Sequence, residues 1–110
     1  MSHNSEFTDY VLDQLESVGV NNTARMFSGT LLKVGPKQLG VVIMDTLYFK
    51  VTEPELQQRF REFESEQFTY GRKDRNEPVV IKNWWSVPEE IVDDREQLVA
   101  LACAVLLQGS

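Results

Sequence analysis

The sequence predicts a two-layer α+β fold, in which helices pack against a single five-stranded antiparallel sheet. Apolar residues recur with helical spacing near both ends of the chain and once in the middle. Between these segments, β-branched and aromatic residues form short runs separated by turn signals. The predicted order is α-β-β-β-α-β-β-α. The length of 110 residues fits one domain over residues 1–110, with residues 1–5 as a flexible tail.

The first helix is predicted near residues 6–18. Gly19 follows its last apolar residue, where a left-handed cap is expected, and Ser5 or Asn4 can accept from the first backbone N–H groups. The apolar residues that predict the helix recur at i, i+4, i+8 and i+11: Phe7, Val11, Leu15 and Val18.

Three strands are predicted next, near residues 25–33, 39–44 and 47–51. The sequence Gly35-Pro36 cannot continue a central strand and therefore marks the first turn, and Asp45-Thr46 marks the second. In the third strand apolar and polar residues alternate, which is typical of a half-buried antiparallel strand.

A second helix begins after Thr52, the predicted N-cap, with Pro54 in the first turn, where its missing N–H has no cost. It is predicted to end near Glu64 and to bury Leu56, Phe60 and Phe63. Residues 66–70 and 79–85 then form a predicted hairpin.

The last helix has two candidate N-caps, Asp93 and Asp94, with Glu96 or Gln97 three residues on as the capping partner. Because Cys103 lies on or beside the apolar stripe of this helix, we expect it to be a small core residue. The stripe itself consists of Leu98, Leu101, Ala102, Val105 and Leu106.

The net charge of −6 is unevenly distributed: residues 1–24 carry −4, residues 25–82 carry +2 and residues 83–110 carry −4. An acidic surface repels the phosphate backbone, so direct DNA binding is not expected. The single cysteine excludes an internal disulfide, and the N-terminus does not resemble a signal peptide. No apolar run approaches the roughly 20 residues that span a bilayer. We therefore expect a cytoplasmic protein that does not enter a membrane.

The sequence offers no motif for catalysis or cofactor binding. His3 is the only histidine and lies in the predicted tail, so a serine or cysteine nucleophile lacks an ordered base. One histidine and one cysteine do not make a zinc site, and Gly35-Pro36-Lys37 lacks the spacing of a phosphate-binding loop. The paired acids at 89–90 and 93–94 are better explained as helix caps than as metal ligands. We expect no enzyme activity, no cofactor and no metal.

The adjacent Trp84 and Trp85 point to opposite faces if they lie in a strand. One is then expected in the core, and the other is exposed unless another segment covers it. Exposed aromatic residues are enriched at interfaces, so this pair is the main indication of a protein partner.

Two alternatives stay open. Arg72, Lys73 and Arg75 lie between aromatic residues in a predicted loop, a pattern that can bind nucleic acid by charge and stacking. The same pattern is also typical of basic side chains that are simply exposed to solvent at the tip of a hairpin. In the second alternative, a small-molecule or catalytic cleft on the sheet is lined by Arg25, Tyr48 and Lys50.

Four strings lie between the first and last predicted helices, in this order: ARMFSG at 24–29, LYFKV at 47–51, FTY at 68–70 and WSVPEE at 85–90. Together with those two helices, they resemble the N-terminal domain of the TfoX (Sxy) family of bacterial competence regulators. The resemblance extends over residues 7–107. At residues 29–33 the chain reads GTLLK, where the family usually has GYGLY.

The resemblance implies a two-layer α+β fold and a part in bacterial gene regulation. Members such as Sxy act with the cyclic-AMP receptor protein to switch on competence genes, and the family brings no catalytic residues to this chain. It therefore implies a regulatory protein-interaction module with a partner in the transcription machinery, and self-association is left open.

Overall fold

The computed structural model describes residues 5–26, 29–43, 46–70 and 79–107. Side chains are described for these residues except 5, 26, 68–70 and 79–82. The described residues form four α-helices, a single turn of 3-10 helix at Glu16–Val18 and six strands. The helices are α1 (Ser5–Gln14), α2 (Pro54–Glu62), α3 (Glu89–Val92) and α4 (Arg95–Leu107). The strands are β1 (Asn22–Met26), β2 (Gly29–Val34), β3 (Lys37–Ile43), β4 (Thr46–Lys50), β5 (Gln67–Tyr70) and β6 (Val79–Ser86).

The strands form one antiparallel sheet in the order β1-β2-β3-β4-β6-β5. The predicted α+β class and single antiparallel sheet are confirmed, and the predicted order holds apart from one added strand and the short helix α3. The strand count is corrected from five to six, because the segment predicted as one strand at 25–33 forms both β1 and β2. Met26 pairs with Gly29 across a two-residue connection. The dipeptide Ser28-Gly29 is a turn signal that could have revealed this hairpin.

The main core lies between the sheet and the helices. Phe49, from the centre of β4, is fully buried there and packs with Leu32 of β2 and Trp85 of β6 in one cluster. The helices contribute apolar residues to the same cluster: Val11, Leu56, Phe60, Ile91, Val92, Leu98, Leu101, Ala102 and Val105. One face of the sheet is therefore covered by helices, as the apolar stripes predict.

Gly40 leaves the space that the Phe49 ring occupies in this core. The two residues pair directly between β3 and β4. A Cβ atom at position 40 would lie 2.8 Å from Cδ1 of Phe49 and 2.4 Å from the carbonyl oxygen of Tyr48. Only glycine leaves the room that the aromatic ring occupies.

The opposite face of the sheet carries a second, smaller cluster, which consists of Leu31, Val41, Ile43 and Trp84. All four residues come from strands β2, β3 and β6. Central strand β3 therefore buries apolar residues on both of its faces, which explains why its last five residues, 39–43, are all buried.

Candidate functional site

Helix α4 carries Leu107, the more exposed of the two large hydrophobic side chains that reach the surface in the described part of the chain. Its inner face packs into the main core through Leu98, Leu101, Ala102 and Val105. From residue 97 to residue 107 it contains no charged side chain. A helix that is apolar all round is normally covered on all sides. This one packs against the sheet, α1 and α3, and its remaining side is exposed. Its outer face is the candidate interaction site.

We define the outer stripe of α4 as Glu96, Ala100, Cys103 and Leu107, which are spaced by four, three and four residues. All four are exposed, and 72% of the surface of Leu107 is accessible. Three of the four, Ala100, Cys103 and Leu107, are apolar, so the stripe is a candidate interaction surface.

Two grooves flank α4. The smaller has a volume of 120 Å³ and lies between α2 and α4, beside Ala100. The larger has a volume of 420 Å³ and lies at the C-terminal end of the helix, beside Leu106. Lys37, Gln38, Lys50 and Thr52 supply polar groups to its wall. These grooves extend the surface that a partner could contact.

The N-terminal end of α4 is fixed to α1 by a polar network. The guanidinium of Arg95 donates to Asp13 at 3.0 Å and to Gln14 at 3.2 Å. The amide of Gln14 donates to the carbonyl oxygen of Val92 at 3.0 Å. The hydroxyl of Tyr10 donates to Asp93 at 2.9 Å, and this hydrogen bond raises the pKa of Tyr10. The network links the N-terminal end of α4 and the residues before it to α1.

Asp94 is the N-cap of α4. Its carboxylate accepts from the side-chain amide of Gln97 at 2.8 Å and from the backbone N–H of the same residue at 3.2 Å. These hydrogen bonds favour the charged form and lower the pKa of Asp94. The predicted capping partner at Gln97 is therefore confirmed, and of the two predicted N-caps Asp94 is the one used.

The C-terminal end of α4 contacts a lysine. The ammonium group of Lys37, an exposed residue at the start of β3, donates to the carbonyl oxygen of Leu106 at 2.6 Å. A cation at this end satisfies an orphan carbonyl and complements the helix dipole. The helix is thus acidic at one end, where Asp93, Asp94 and Glu96 lie, and has a basic group at the other.

The prediction that Cys103 is a core residue is wrong, because its side chain is exposed. It lies on the outer stripe, opposite the residues that pack on the sheet. The error arose because the apolar composition of this helix gives no contrast between its two faces. For the same reason, the sequence did not single out Ala100 and Leu107. Their angular positions around the helix axis, counted from Leu98, could have placed them on the outer face.

The predicted cleft of Arg25, Tyr48 and Lys50 is not formed. Strand register places Tyr48 and Lys50 on the face of the sheet that carries the smaller cluster. Arg25 pairs with Thr30, next to the Ala24–Leu31 pair of that cluster, so its side chain points to the opposite face at the edge strand β1. Burial and the charge of Glu66 raise the pKa of Tyr48.

Both tryptophans are buried, because the second cluster covers Trp84, so neither is the exposed aromatic residue that would have indicated a partner. Trp84 is 5% exposed and Trp85 is 4% exposed. They point to opposite faces as predicted, and each face has its own apolar cluster to receive a ring. Neither ring therefore offers a stacking surface for a base.

The basic residues Arg72, Lys73 and Arg75 lie outside the described residues. Within the residues that the structure describes, no group of three or more histidine, cysteine or acidic side chains is placed to hold a metal ion. Among the described helices, none is long and apolar enough to cross a membrane.

Comparison with protein-family models gives a match to the TfoX N-terminal domain over residues 13–107, which is most of the chain. The chain belongs to the TfoX N-terminal domain family. The match confirms the resemblance that the sequence strings indicated. The TfoX match begins within α1 and ends at the last residue of α4, so the outer stripe lies within the family domain. Comparison with curated protein sequences gives no match.

Proposed function

We propose that this TfoX-type domain is a non-catalytic regulatory module that binds a protein of the transcription machinery through the outer stripe of α4. The observation that carries the proposal is the exposed apolar stripe itself. Ala100, Cys103 and Leu107 present apolar atoms to solvent on a helix whose position is fixed by the core and by the Arg95 network. Such a preformed face binds a partner with little ordering cost.

The distribution of polar groups supports binding rather than catalysis. Arg25 is separated from Tyr48 and Lys50 by the sheet, so the three candidate groups do not converge on one substrate position. Catalysis requires reacting groups within hydrogen-bond reach of one another. A regulatory binding role is also the one that fits the family to which the chain belongs.

Charge indicates the chemistry of the partner. The chain carries a net charge of −6, and the N-terminal end of α4 adds the carboxylates of Asp93, Asp94 and Glu96 beside the stripe. Acidic groups around an apolar patch speed encounter with a basic surface and suppress binding to acidic ones. We expect the partner to present a basic rim around an apolar contact.

The test compares transcripts in host cells that lack the gene and carry either the wild-type protein or a variant. Ala100→Arg places a large cation in the middle of the stripe, and Gln58→Arg introduces the same cation on the exposed side of α2. We expect wild type and Gln58→Arg to restore the transcript pattern and Ala100→Arg to fail.

The two variant proteins must accumulate to equal levels and show equal thermal midpoints for this comparison to hold. Full restoration by Ala100→Arg at equal abundance would show that the stripe takes no part in regulation.

A further inference from the structure

We propose that the larger groove beside α4 binds a small organic phosphate, with Lys37 and Lys50 as the cations that hold its phosphate group. The groove lies at the end of the sheet where β3 begins and β4 ends, and no residue of the outer stripe lines it. The inference goes beyond the proposed function, because it adds a small-molecule site to a domain proposed to bind a protein. Three features carry it: the size of the groove, the composition of its wall and the positions of the two ammonium groups.

The groove has the size and the lining of a small-molecule site. Its volume of 420 Å³ lies within the range of about 300–1,000 Å³ that is usual for ligand pockets. Its described lining combines three apolar residues with four polar ones: Pro36, Val105 and Leu106, and Lys37, Gln38, Lys50 and Thr52. A few polar groups beside apolar surface suit a molecule that has one charged group and a short apolar body.

Positive charge is concentrated at this end of the sheet, although the chain as a whole carries −6. Two of the three lysines whose side chains the structure describes line the groove. The third, Lys33, pairs with the lining residue Gln38 across β2 and β3. No acidic side chain is among the described lining residues, and the chain has none between Glu16 and Asp45. The groove therefore attracts an anion, in spite of the negative charge of the chain as a whole.

Lys50 is held on the side of the sheet that carries Trp84. Its ammonium group donates to Oε1 of Gln38 at 3.1 Å and lies 6.0 Å from the centre of the Trp84 ring. The residue is half-buried, and a half-buried charge is screened by water and salt less than an exposed one. An anion that reaches Lys50 therefore gains more than it would at a lysine in open solvent.

Lys37 approaches the groove from the side of the sheet that carries α4. Its ammonium group donates to the carbonyl oxygen of Leu106 at 2.6 Å. This carbonyl belongs to the negative end of the α4 dipole, and the charge of Lys37 offsets the repulsion that this end exerts on an anion. An ammonium group can donate three hydrogen bonds, so the bond to Leu106 does not prevent one to a ligand. The two lysines thus bring positive charge to the groove from both sides of the sheet.

The types of side chain favour phosphate over carboxylate. A planar carboxylate is best matched by the two parallel N–H groups of arginine, and no arginine is among the described lining residues. Lysine binds as a point charge and suits a phosphate group, which carries close to two negative charges at neutral pH and has three acceptor oxygens. The amide of Gln38 and the hydroxyl of Thr52 add groups that can donate to these oxygens. The apolar body of the ligand would lie against Val105 and Leu106.

The first experiment titrates the ¹⁵N-labelled chain with butyl phosphate at about pH 8, where the phosphate is a dianion, and follows backbone amide shifts at constant ionic strength. We expect saturable shifts at residues 36–38, 50–52 and 105–106, with a dissociation constant of about 1 mM or lower. Pentanoate has the same four-carbon tail with a planar group of one charge, and it should bind at least about tenfold more weakly. Butyl phosphate that gives no saturable shift would overturn the proposal, and equal binding of pentanoate would overturn the choice of phosphate.

The second experiment repeats the titration with variants that each remove one cation. Lys37→Met and Lys50→Met should each weaken the binding of butyl phosphate by about tenfold. The matched control is Arg25→Met, which removes the same charge from an exposed residue of edge strand β1 and should leave binding unchanged. An equal loss in all three variants would show that only the net charge matters, and it would refute a site at this groove.

Gln38→Glu tests the groove without removing a lysine. Glutamate has the size of glutamine and can still accept from Lys50, so the thermal midpoint should not fall, whereas the added charge should abolish the saturable shifts. Binding of butyl phosphate by Gln38→Glu as tight as by wild type would contradict an anion site here. Ala100→Arg should bind butyl phosphate as wild type does, because Ala100 does not line the groove. The readout is independent of transcripts, so the phosphate site and the proposed function can each fail alone.

Discussion

Glu64 holds a backbone conformation that favours glycine. It follows α2 with a φ of 62°, and the backbone N–H groups of Glu64 and Ser65 donate to the carbonyl oxygens of Arg61 and Phe60 at 2.9 and 3.0 Å. These two bonds are the pattern of a Schellman motif, in which the left-handed residue is usually glycine. The sequence predicted the end of the helix near Glu64 and gave no sign of this conformation, because glutamate is a helix former.

Replacing Glu64 with glycine should stabilise the protein. The side chain is exposed, so no packing is lost, and removal of Cβ relieves the left-handed strain. We expect Glu64→Gly to raise the free energy of unfolding by about 0.5–1 kcal/mol in urea titrations.

The matched control is Gln58→Gly, which makes a similar truncation at an exposed position inside α2. There glycine should lower the free energy of unfolding by about 1 kcal/mol. Two losses of equal size would contradict the left-handed cap at position 64.

Most helices were predictable because their signals are local. The left-handed cap at Gly19, the proline at the first position of α2 and the buried Leu56 and Phe60 all agree with the structure. The prediction of Thr52 as the N-cap of α2 is wrong: the N-cap is Glu53, and its side chain makes no capping hydrogen bond. Proline at the following position sets the helix start in place of a side-chain cap.

Strand β3 shows what alternation alone does not predict. Its register with β2 shifts where Leu32 and Lys33 pair with Gly40 and Gln38, so Leu39 is an extra residue between them. This bulge lets Leu39 reach the main core on the same side as Val42, three residues away. A bulge depends on pairing between strands, which a single strand's sequence does not encode.

The cap of α4 should make stability depend on pH in acid. The folded-state pKa of Asp94 lies below its ordinary value of about 3.9. Its charged form is therefore stabilised by folding, so its contribution is complete above about pH 4 and is lost as pH falls through the folded-state pKa. Asp94→Ala should lower the thermal midpoint at pH 7, and the difference from wild type should shrink below about pH 4.

Asp94→Asn provides the control, because asparagine accepts the same backbone hydrogen bond without a titratable charge. It should stay close to wild type at pH 7 and should lose less stability than wild type between pH 4 and pH 2. An Asp94→Ala deficit that is constant from pH 7 to pH 2 would contradict a role for the charged cap.

At the scale of the whole molecule, the sheet separates two environments. The helices and the main core lie on one face, and the cluster around Trp84 lies on the other. The sequence predicted that Trp84 and Trp85 point to opposite faces, and it did so from strand geometry alone. It did not predict that both faces bury apolar residues, because burial of Trp84 depends on Leu31, Val41 and Ile43 from strands far away in the chain.

The sequence did not predict the candidate site for a similar reason, because exposure on α4 also depends on contacts with distant parts of the chain. Whether Ala100 or Cys103 is exposed depends on which side of α4 meets the sheet, and the helix is apolar on both sides. Charges on the outer face would have made the distinction, as they do on α2, where Leu56 and Phe60 are buried and the charged residues of the same helix are exposed. The predicted stripe is confirmed where Leu98, Leu101, Ala102 and Val105 are buried, whereas the apolar outer face gave no sign that Cys103 is exposed. The same apolar character makes this face a candidate interface.

Fluorescence quenching can test the two environments. Trp85 packs against Phe60 with ring centres 6.5 Å apart, and the ring of Trp84 has the ammonium group of Lys50 6.0 Å from its centre. In Trp85→Phe only Trp84 emits, and in Trp84→Phe only Trp85 emits. Because each remaining ring is buried, acrylamide should quench both variants several-fold less than it quenches free N-acetyltryptophanamide, and to within about a factor of two of one another.

The shielding of Trp84 should not depend on self-association, because its face of the sheet is opposite to the face that carries α4. Quenching of Trp85→Phe should therefore be the same at low and high protein concentration and unchanged when Ala100→Arg is added. Strong quenching that falls as the concentration rises would mean that a second chain covers Trp84. Such a result would place a contact between copies on the side of the sheet opposite α4.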